Sequence, residues 1–220
     1  MVTVMKETKM NRSIFVRLIT VCILFLLTGC ASQLANRISV DRESSTPGGM
    51  VTLKGKQLQL IGTPLKVGDP LPATLLIDAF TMTKIDLSQL KGKVLIVSLV
   101  PSLDTKVCEA QTHYLGEQGA ILPADITRIT ISRDTPFAQK RFAEESRLSG
   151  ITYLSDYREG SFGRSIGLLQ EDSMLLARAV ILVDKDNIVR YIQVVPELSH
   201  LPDMEIIFKK AKALLAGEPG

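Results

Sequence analysis

Residues 93–100, Lys-Val-Leu-Ile-Val-Ser-Leu-Val, form an almost unbroken apolar run. A strand with one wet face alternates apolar and polar residues. A run like this one has to be covered on both faces, so it reads as the central strand of a sheet packed between other layers. Residues 126–132 and 179–183 read as two more buried strands. The turn Asp184-Lys185-Asp186-Asn187 leads into a fourth at 188–195, which makes the last two a hairpin. Helices are expected at 105–118, 136–146, 161–167 and 203–216. The last of these places Met204, Ile207, Phe208, Ala211, Leu214 and Leu215 at helical spacing. Residues 51–61 alternate around Gly55 and read as an N-terminal β-hairpin. Pro64, Gly68, Pro70 and Pro72 mark a loop. Strands alternating with helices, closed by a hairpin and a final helix, imply an α/β sandwich.

The first 29 residues have a different character. A basic stretch ends at Arg17, an apolar run covers 18–27, and Leu27-Thr28-Gly29-Cys30 follows. The apolar run is short for a bilayer span, which needs about 20 residues, but it suits the core of a secretory signal. The last four residues resemble a bacterial lipobox, in which Cys30 carries lipid and the peptide is cut just before it. Three sections are therefore expected: a lipoprotein signal peptide at 1–29, a lipidated tether at 30–49 and a folded domain at 50–220. The tether has no apolar face; as flexible chain, its roughly 20 residues would reach about 25 Å. Ser32, next to Cys30, is not the aspartate that tends to retain lipoproteins at an inner membrane. The expected address is the bacterial cell envelope, lipid-anchored to a membrane, with the periplasmic face of an outer membrane open as the site if the organism has one.

Charge and cysteines narrow the chemistry. The chain has 26 Lys and Arg against 23 Asp and Glu, and the first 29 residues hold four of those cations and one anion. The remainder is formally neutral, which gives no reason to expect nucleic acid as a partner. Of the three cysteines, Cys22 lies in the leader and Cys30 at the lipobox, so Cys108 is expected to be the free thiol of the mature chain. A lone thiol in an exported protein points to reactivity. No Cys/His cluster suggests a metal, and no glycine-rich loop suggests a dinucleotide cofactor. The absence of Cys-x-x-Cys argues against a thiol–disulfide oxidoreductase. His113 lies about 1.4 helical turns beyond Cys108 and so points elsewhere; His200 sits in a polar stretch and is expected to face solvent.

The segment 100–109, Val-Pro-Ser-Leu-Asp-Thr-Lys-Val-Cys-Glu, leaves the most buried strand and opens a helix. That puts Cys108 in or near a first helical turn, where free backbone N–H groups and the macrodipole favour an anion. The thiolate is the sulfur species that attacks a peroxide oxygen. Asp104 is expected to cap this helix.

Pro101, Thr105 and Cys108 match Pro-x-x-x-Thr-x-x-Cys, the active-site pattern of peroxiredoxins. Pro-Ser-x-Asp-Thr-x-Val-Cys at 101–108 resembles the thiol peroxidase branch, the atypical two-cysteine peroxiredoxins. So do residues 132–142, Ala177-Arg178-Ala179-Val180 and the N-terminal hairpin. The resemblance spans about residues 50–216 and implies a thioredoxin-like fold of the peroxiredoxin type. It implies that Cys108 is the nucleophile, that Thr105 directs its hydroxyl at thiolate and peroxide, that Arg178 supplies fixed positive charge, and that Pro101 shields the thiol. The implied partners are hydrogen peroxide or an organic hydroperoxide, an external thiol or thioredoxin-like reductant, and a second copy in a homodimer.

In that branch a second cysteine follows the Arg-Phe of the next helix and resolves the sulfenic acid. Here Arg141-Phe142 is followed by Ala143. The expected cycle therefore closes through a thiol from outside the chain. A different class stays open beside it: a membrane-tethered, thioredoxin-fold redox-sensing or binding protein with little turnover.

Overall fold

The structure, a computed structural model, describes residues 38–217. The chain begins with a short strand β1 (Val40–Asp41) and the hairpin β2 (Met50–Leu53) and β3 (Lys56–Ile61). Next come β4 (Leu75–Asp78), β5 (Lys84–Asp86) and β6 (Val94–Leu99). Helix α1 (Lys106–Glu117), β7 (Ile126–Ser132), α2 (Pro136–Ser146) and β8 (Ile151–Ser155) follow as alternating units. A short helix α3 (Ser161–Ser165) and β9 (Leu169–Gln170) precede the hairpin β10 (Ala179–Val183) and β11 (Val189–Val194). The chain then passes through β12 (Leu201–Pro202) into α4 (Met204–Leu215).

The main sheet has seven strands in the order β11-β10-β6-β7-β8-β4-β5. Strands β6, β7 and β8 run parallel, and β10 and β4 flank them antiparallel. All six residues of β6 are buried, as its unbroken apolar run requires. Its side chains divide between two cores. Leu95, Val97 and Leu99 face one that includes Leu60, Phe162 and Leu176. Val94 and Ile96 face the other, with Leu115 of α1 and Ile207, Phe208 and Ala211 of α4. This is the expected α/β architecture with its N-terminal hairpin. Three strands, β4, β5 and β8, add to the four expected in the main sheet.

Local chemistry sets the helix starts nearest the site. Thr135 caps α2 by accepting the Ala138 N–H at 3.3 Å, and Pro136 occupies a first-turn position where a missing N–H costs nothing. Gly62 has φ +115°, and a Cβ there would sit 1.9 Å from the Arg164 carbonyl oxygen. Only glycine lets the N-terminal hairpin pass this close to α3.

The tether expectation needs correction where it meets the domain. Residues 39–45 lie against the fold. β1 pairs parallel with β12, Ser45 donates its N–H to the Val194 carbonyl, and the Gln193 amide reaches the carbonyls of Asp41 and Glu43. This stretch lacked an apolar face because backbone and side-chain hydrogen bonds hold it instead. Cys22, Cys30 and the rest of the leader lie outside the described residues.

Candidate active site

The sharp exit from β6 places the site. After Leu99 the chain runs through Val100 and Pro101 into a loop that ends at Thr105, the residue before α1. Cys108 is the third residue of α1 and is 1% exposed. Thr105 does not cap the helix with its side chain. Its hydroxyl donates to the Ser102 carbonyl at 3.3 Å and makes no hydrogen bond to the Cys108 sulfur. This differs from the role implied by resemblance: the extended backbone at Thr105 closes the loop on itself. Asp104 does not cap either; it lies 3.5 Å from Arg141 on the surface. Pro101 is half-buried at the start of the loop.

Arg178 comes from far along the chain. It immediately precedes β10, whose Ala179 pairs with Leu99 at the end of β6. That pairing carries the arginine beneath α1. The side chain is 2% exposed, and three of its nitrogens have assigned partners. Nε donates to the Leu198 carbonyl at 3.0 Å, Nη1 to Gln111 Oε1 at 2.8 Å and Nη2 to Cys108 Sγ at 3.4 Å. Gln111 is buried one helical turn after Cys108, and its amide donates to Ser98 Oγ at 2.8 Å. Ser98, Gln111 and Arg178 thus form a fixed chain of hydrogen bonds from the central strand to the sulfur.

The charge balance is the informative part. Among the described residues no carboxylate lies within ion-pair distance of Arg178. A buried cation without a counter-charge is costly. Its oxygen partners are neutral, so the atom in contact that can carry a negative charge is the Cys108 sulfur.

A second network holds the loop. Asp134 accepts from Ser102 Oγ at 2.8 Å, from the Leu103 N–H at 2.7 Å and from Ser132 Oγ at 2.7 Å. Asp134 stands between β7 and α2, so one carboxylate pins the loop before α1 to the neighbouring parallel strand. Gln139 of α2 supports it through Ser132 Oγ at 2.8 Å and the Leu154 carbonyl at 2.9 Å.

The other side of Cys108 is apolar. Cys108 shares a cluster with Ala79, Val100, Leu103, Phe142, Ala143 and Tyr153. Ala143 is 4% exposed and brings no sulfur to this cluster. The Tyr153 hydroxyl is buried without a partner, and burial pushes its pKa up to about 12. His113 sits on the outer part of α1 with Nδ1 2.7 Å from Glu117, away from the site as expected. His200 does not simply face solvent; its Nδ1 lies 2.7 Å from Asp41 Oδ1. Among the described residues no group of His, Cys, Asp and Glu side chains is placed to hold a metal.

The residues that sequence reasoning passed over are Gln111, Ser98, Asp134 and Leu198. Gln111 had a signal, since it lies three positions after Cys108 and shares its helical face. Asp134 fell within the family-like stretch at 132–142 but had no role there. Leu198 acts through its backbone carbonyl, which no side-chain pattern announces.

Residues 66–207 match the Redoxin family. The thiol peroxidase of Halalkalibacterium halodurans is 40% identical over 165 residues, covering 75% of this chain and 98% of the relative. The thiol peroxidase of Bacillus subtilis is 39% identical with the same coverage. Among solved structures, a peroxiredoxin-like protein from Aquifex aeolicus superposes with a TM-score of 0.71 at 34% identity, covering 78% of this chain and 99% of that one. The thiol peroxidase from Chromobacterium violaceum shares the fold with a TM-score of 0.63 at 22% identity, covering 76% and 96%. With Cys108 and Arg178 in contact on this scaffold, the chain belongs to the thiol peroxidase branch of the peroxiredoxin family, and it is an enzyme of the oxidoreductase class.

Proposed function

We propose that this enzyme reduces hydrogen peroxide or an organic hydroperoxide through Cys108, and that an external thiol regenerates it. The observation that carries the reading is Arg178 Nη2, 3.4 Å from Cys108 Sγ on a buried guanidinium with no carboxylate partner. Sulfur in its thiolate form balances that charge. The thiolate attacks one peroxide oxygen, the O–O bond breaks, and the pair of electrons leaves with the other oxygen. The products are a sulfenic acid on Cys108 and, after protonation, water or an alcohol. Negative charge builds on the leaving oxygen. Arg178 and the first-turn N–H groups of α1 are the fixed donors available to stabilise it. Pro101 and Thr105 shape the loop through which peroxide arrives.

Cys108 is the free cysteine among the described residues, and the neighbouring position in α2 is Ala143. One external thiol would displace water from the sulfenic acid to give a mixed disulfide. A second would release the thiolate and leave as the external disulfide. A thioredoxin-like protein or a small thiol fits this step, and a homodimer is compatible with the family setting.

The leader completes the proposal. Cleavage before Cys30 and its lipidation would hold the enzyme on the envelope side of a membrane. With the strap packed from Ser39, only eight residues, 31–38, separate the lipid from the fold. As flexible chain these would reach about 16 Å, shorter than the whole tether would suggest.

The test mixes reduced protein with a slight excess of peroxide and follows Cys108 by stopped flow and mass spectrometry. Oxidation much faster than that of a free small thiol supports the peroxidase. Loss of the thiol no faster than that favours the second reading, a tethered redox sensor with little turnover, to which the buried sulfur and Ala143 lend some support. Labelling with radioactive palmitate tests Cys30, and an unlabelled, water-soluble product rejects the anchor.

A further inference from the structure

Leu198 orients Arg178 with its carbonyl, and the loop that carries it is clamped from the N-terminal strap. Asp41 Oδ2 accepts the Glu197 N–H at 3.3 Å, and Oδ1 lies 2.7 Å from His200 Nδ1. These contacts flank Leu198, one residue before it and two after. The Ser39 carbonyl accepts the Leu201 N–H at 2.7 Å, which begins the parallel pairing of β1 with β12. Gln193 closes the frame: its amide donates to the Asp41 carbonyl at 2.7 Å while its oxygen accepts the Asp203 N–H at 2.9 Å. The other side of the loop is held by the N-terminal hairpin, with the Leu198 N–H on the Thr52 carbonyl at 2.7 Å and the Glu197 carboxylate accepting from the Thr52 hydroxyl and the Lys54 N–H. Two independent clamps therefore meet on the segment that aims the arginine.

We propose that Asp41 is a positioning residue for the peroxide reaction. It fixes the loop 197–200 so that the Leu198 carbonyl holds the Arg178 guanidinium against Cys108. The strap just upstream of the catalytic domain is then part of the working enzyme and not only a spacer. The inference rests on the reading of Arg178 as the charge that faces the thiolate. Because the hairpin still supports the loop, losing Asp41 shifts the arginine without releasing it. The expected loss is about tenfold in the rate of Cys108 oxidation, below the roughly hundredfold that a 1 Å misplacement can cause.

The experiment measures the second-order rate of Cys108 with hydrogen peroxide in four proteins: wild type, Asp41→Ala, Arg178→Ala and the double variant. The inference expects Asp41→Ala to slow the reaction in the wild-type background and to add nothing in the Arg178→Ala background. Equal slowing in both backgrounds would mean general loosening and overturn it, as would a wild-type rate in Asp41→Ala. A wild-type rate in Arg178→Ala would instead sink the underlying reading of the site. If Asp41→Ala does not fold, Asp41→Asn and His200→Gln give the same cycle. Asp41→Asn, which keeps one acceptor oxygen, is expected to retain part of the lost rate.

Discussion

Cys108 sits between two unlike neighbourhoods. On one side, Ser98, Gln111, Arg178 and the Leu198 carbonyl form a buried polar chain in which each partner fixes the next. On the other, Phe142, Ala143 and Tyr153 form an apolar wall with an unpartnered hydroxyl. The first side is preorganised for a reaction that builds negative charge. The second offers the sulfur no chemical partner. Under the proposed function the contrast separates the two halves of the cycle: the polar side serves attack on peroxide, and among the described residues neither side brings a second thiol for regeneration.

The sharpest way to break this comparison is to remove the charge. Arg178→Ala should slow Cys108 oxidation by about 10²- to 10³-fold in stopped-flow competition, the range seen when a fixed donor to a developing charge is lost. Arg178→Lys should recover little, because one ammonium cannot serve three separated acceptors. The opposite side can be tested by adding what it lacks. Ala143→Cys puts a second sulfur into the apolar cluster, and peroxide should then convert both thiols into one intramolecular disulfide detectable by intact mass. Persistence of a free thiol at 143 after Cys108 is oxidised would show that the two positions do not meet.

Smaller effects sharpen the frame around the site. Asp134→Ala removes three hydrogen bonds that tie the loop before α1 to β7. It should lower stability by about 2 kcal/mol in urea unfolding, in line with charged hydrogen bonds. Glu197 gives a pH-dependent signal. Burial alone would raise its carboxylate, but hydrogen bonds from the Lys54 and Ser199 N–H groups and the Ser199 and Thr52 hydroxyls outweigh that and hold it at about 2. A depressed carboxylate contributes stability above its unfolded value that is lost as pH falls toward the folded one. The urea midpoint of wild type should therefore drop more than that of Glu197→Gln between about pH 5 and pH 2, by a modest amount because the group is largely solvated. Tyr153→Phe removes a buried hydroxyl with no partner, so stability should hold or rise by up to about 1 kcal/mol. A clear loss would mean that the hydroxyl is satisfied in solution.

Much of the scaffold was legible because burial leaves long patterns. The apolar run of β6, the bounds of β7 and β10, and the Thr135-Pro136 start of α2 are all written in local sequence. Strands β4, β5 and β8 were not, because three to five residues with mixed polarity carry no periodicity. Cys108 could be placed at a helix start from sequence. Its contact with Arg178, 70 positions away, could be anticipated only through resemblance, since it depends on β10 pairing with β6. The strap at 39–45 escaped for a physical reason: hydrogen bonds to backbone hold it, and they leave no mark in hydropathy. The Thr105 hydroxyl differed from expectation for a similar reason, being turned back to the Ser102 carbonyl within its own loop.

The central claim is that buried Arg178, in contact with Cys108, drives the reaction of that sulfur with peroxide. The second-order rate of Cys108 with hydrogen peroxide, measured side by side in wild type and Arg178→Ala, tests it most directly. The account predicts that the variant reacts about 10²- to 10³-fold more slowly. Equal rates in the two proteins would contradict it.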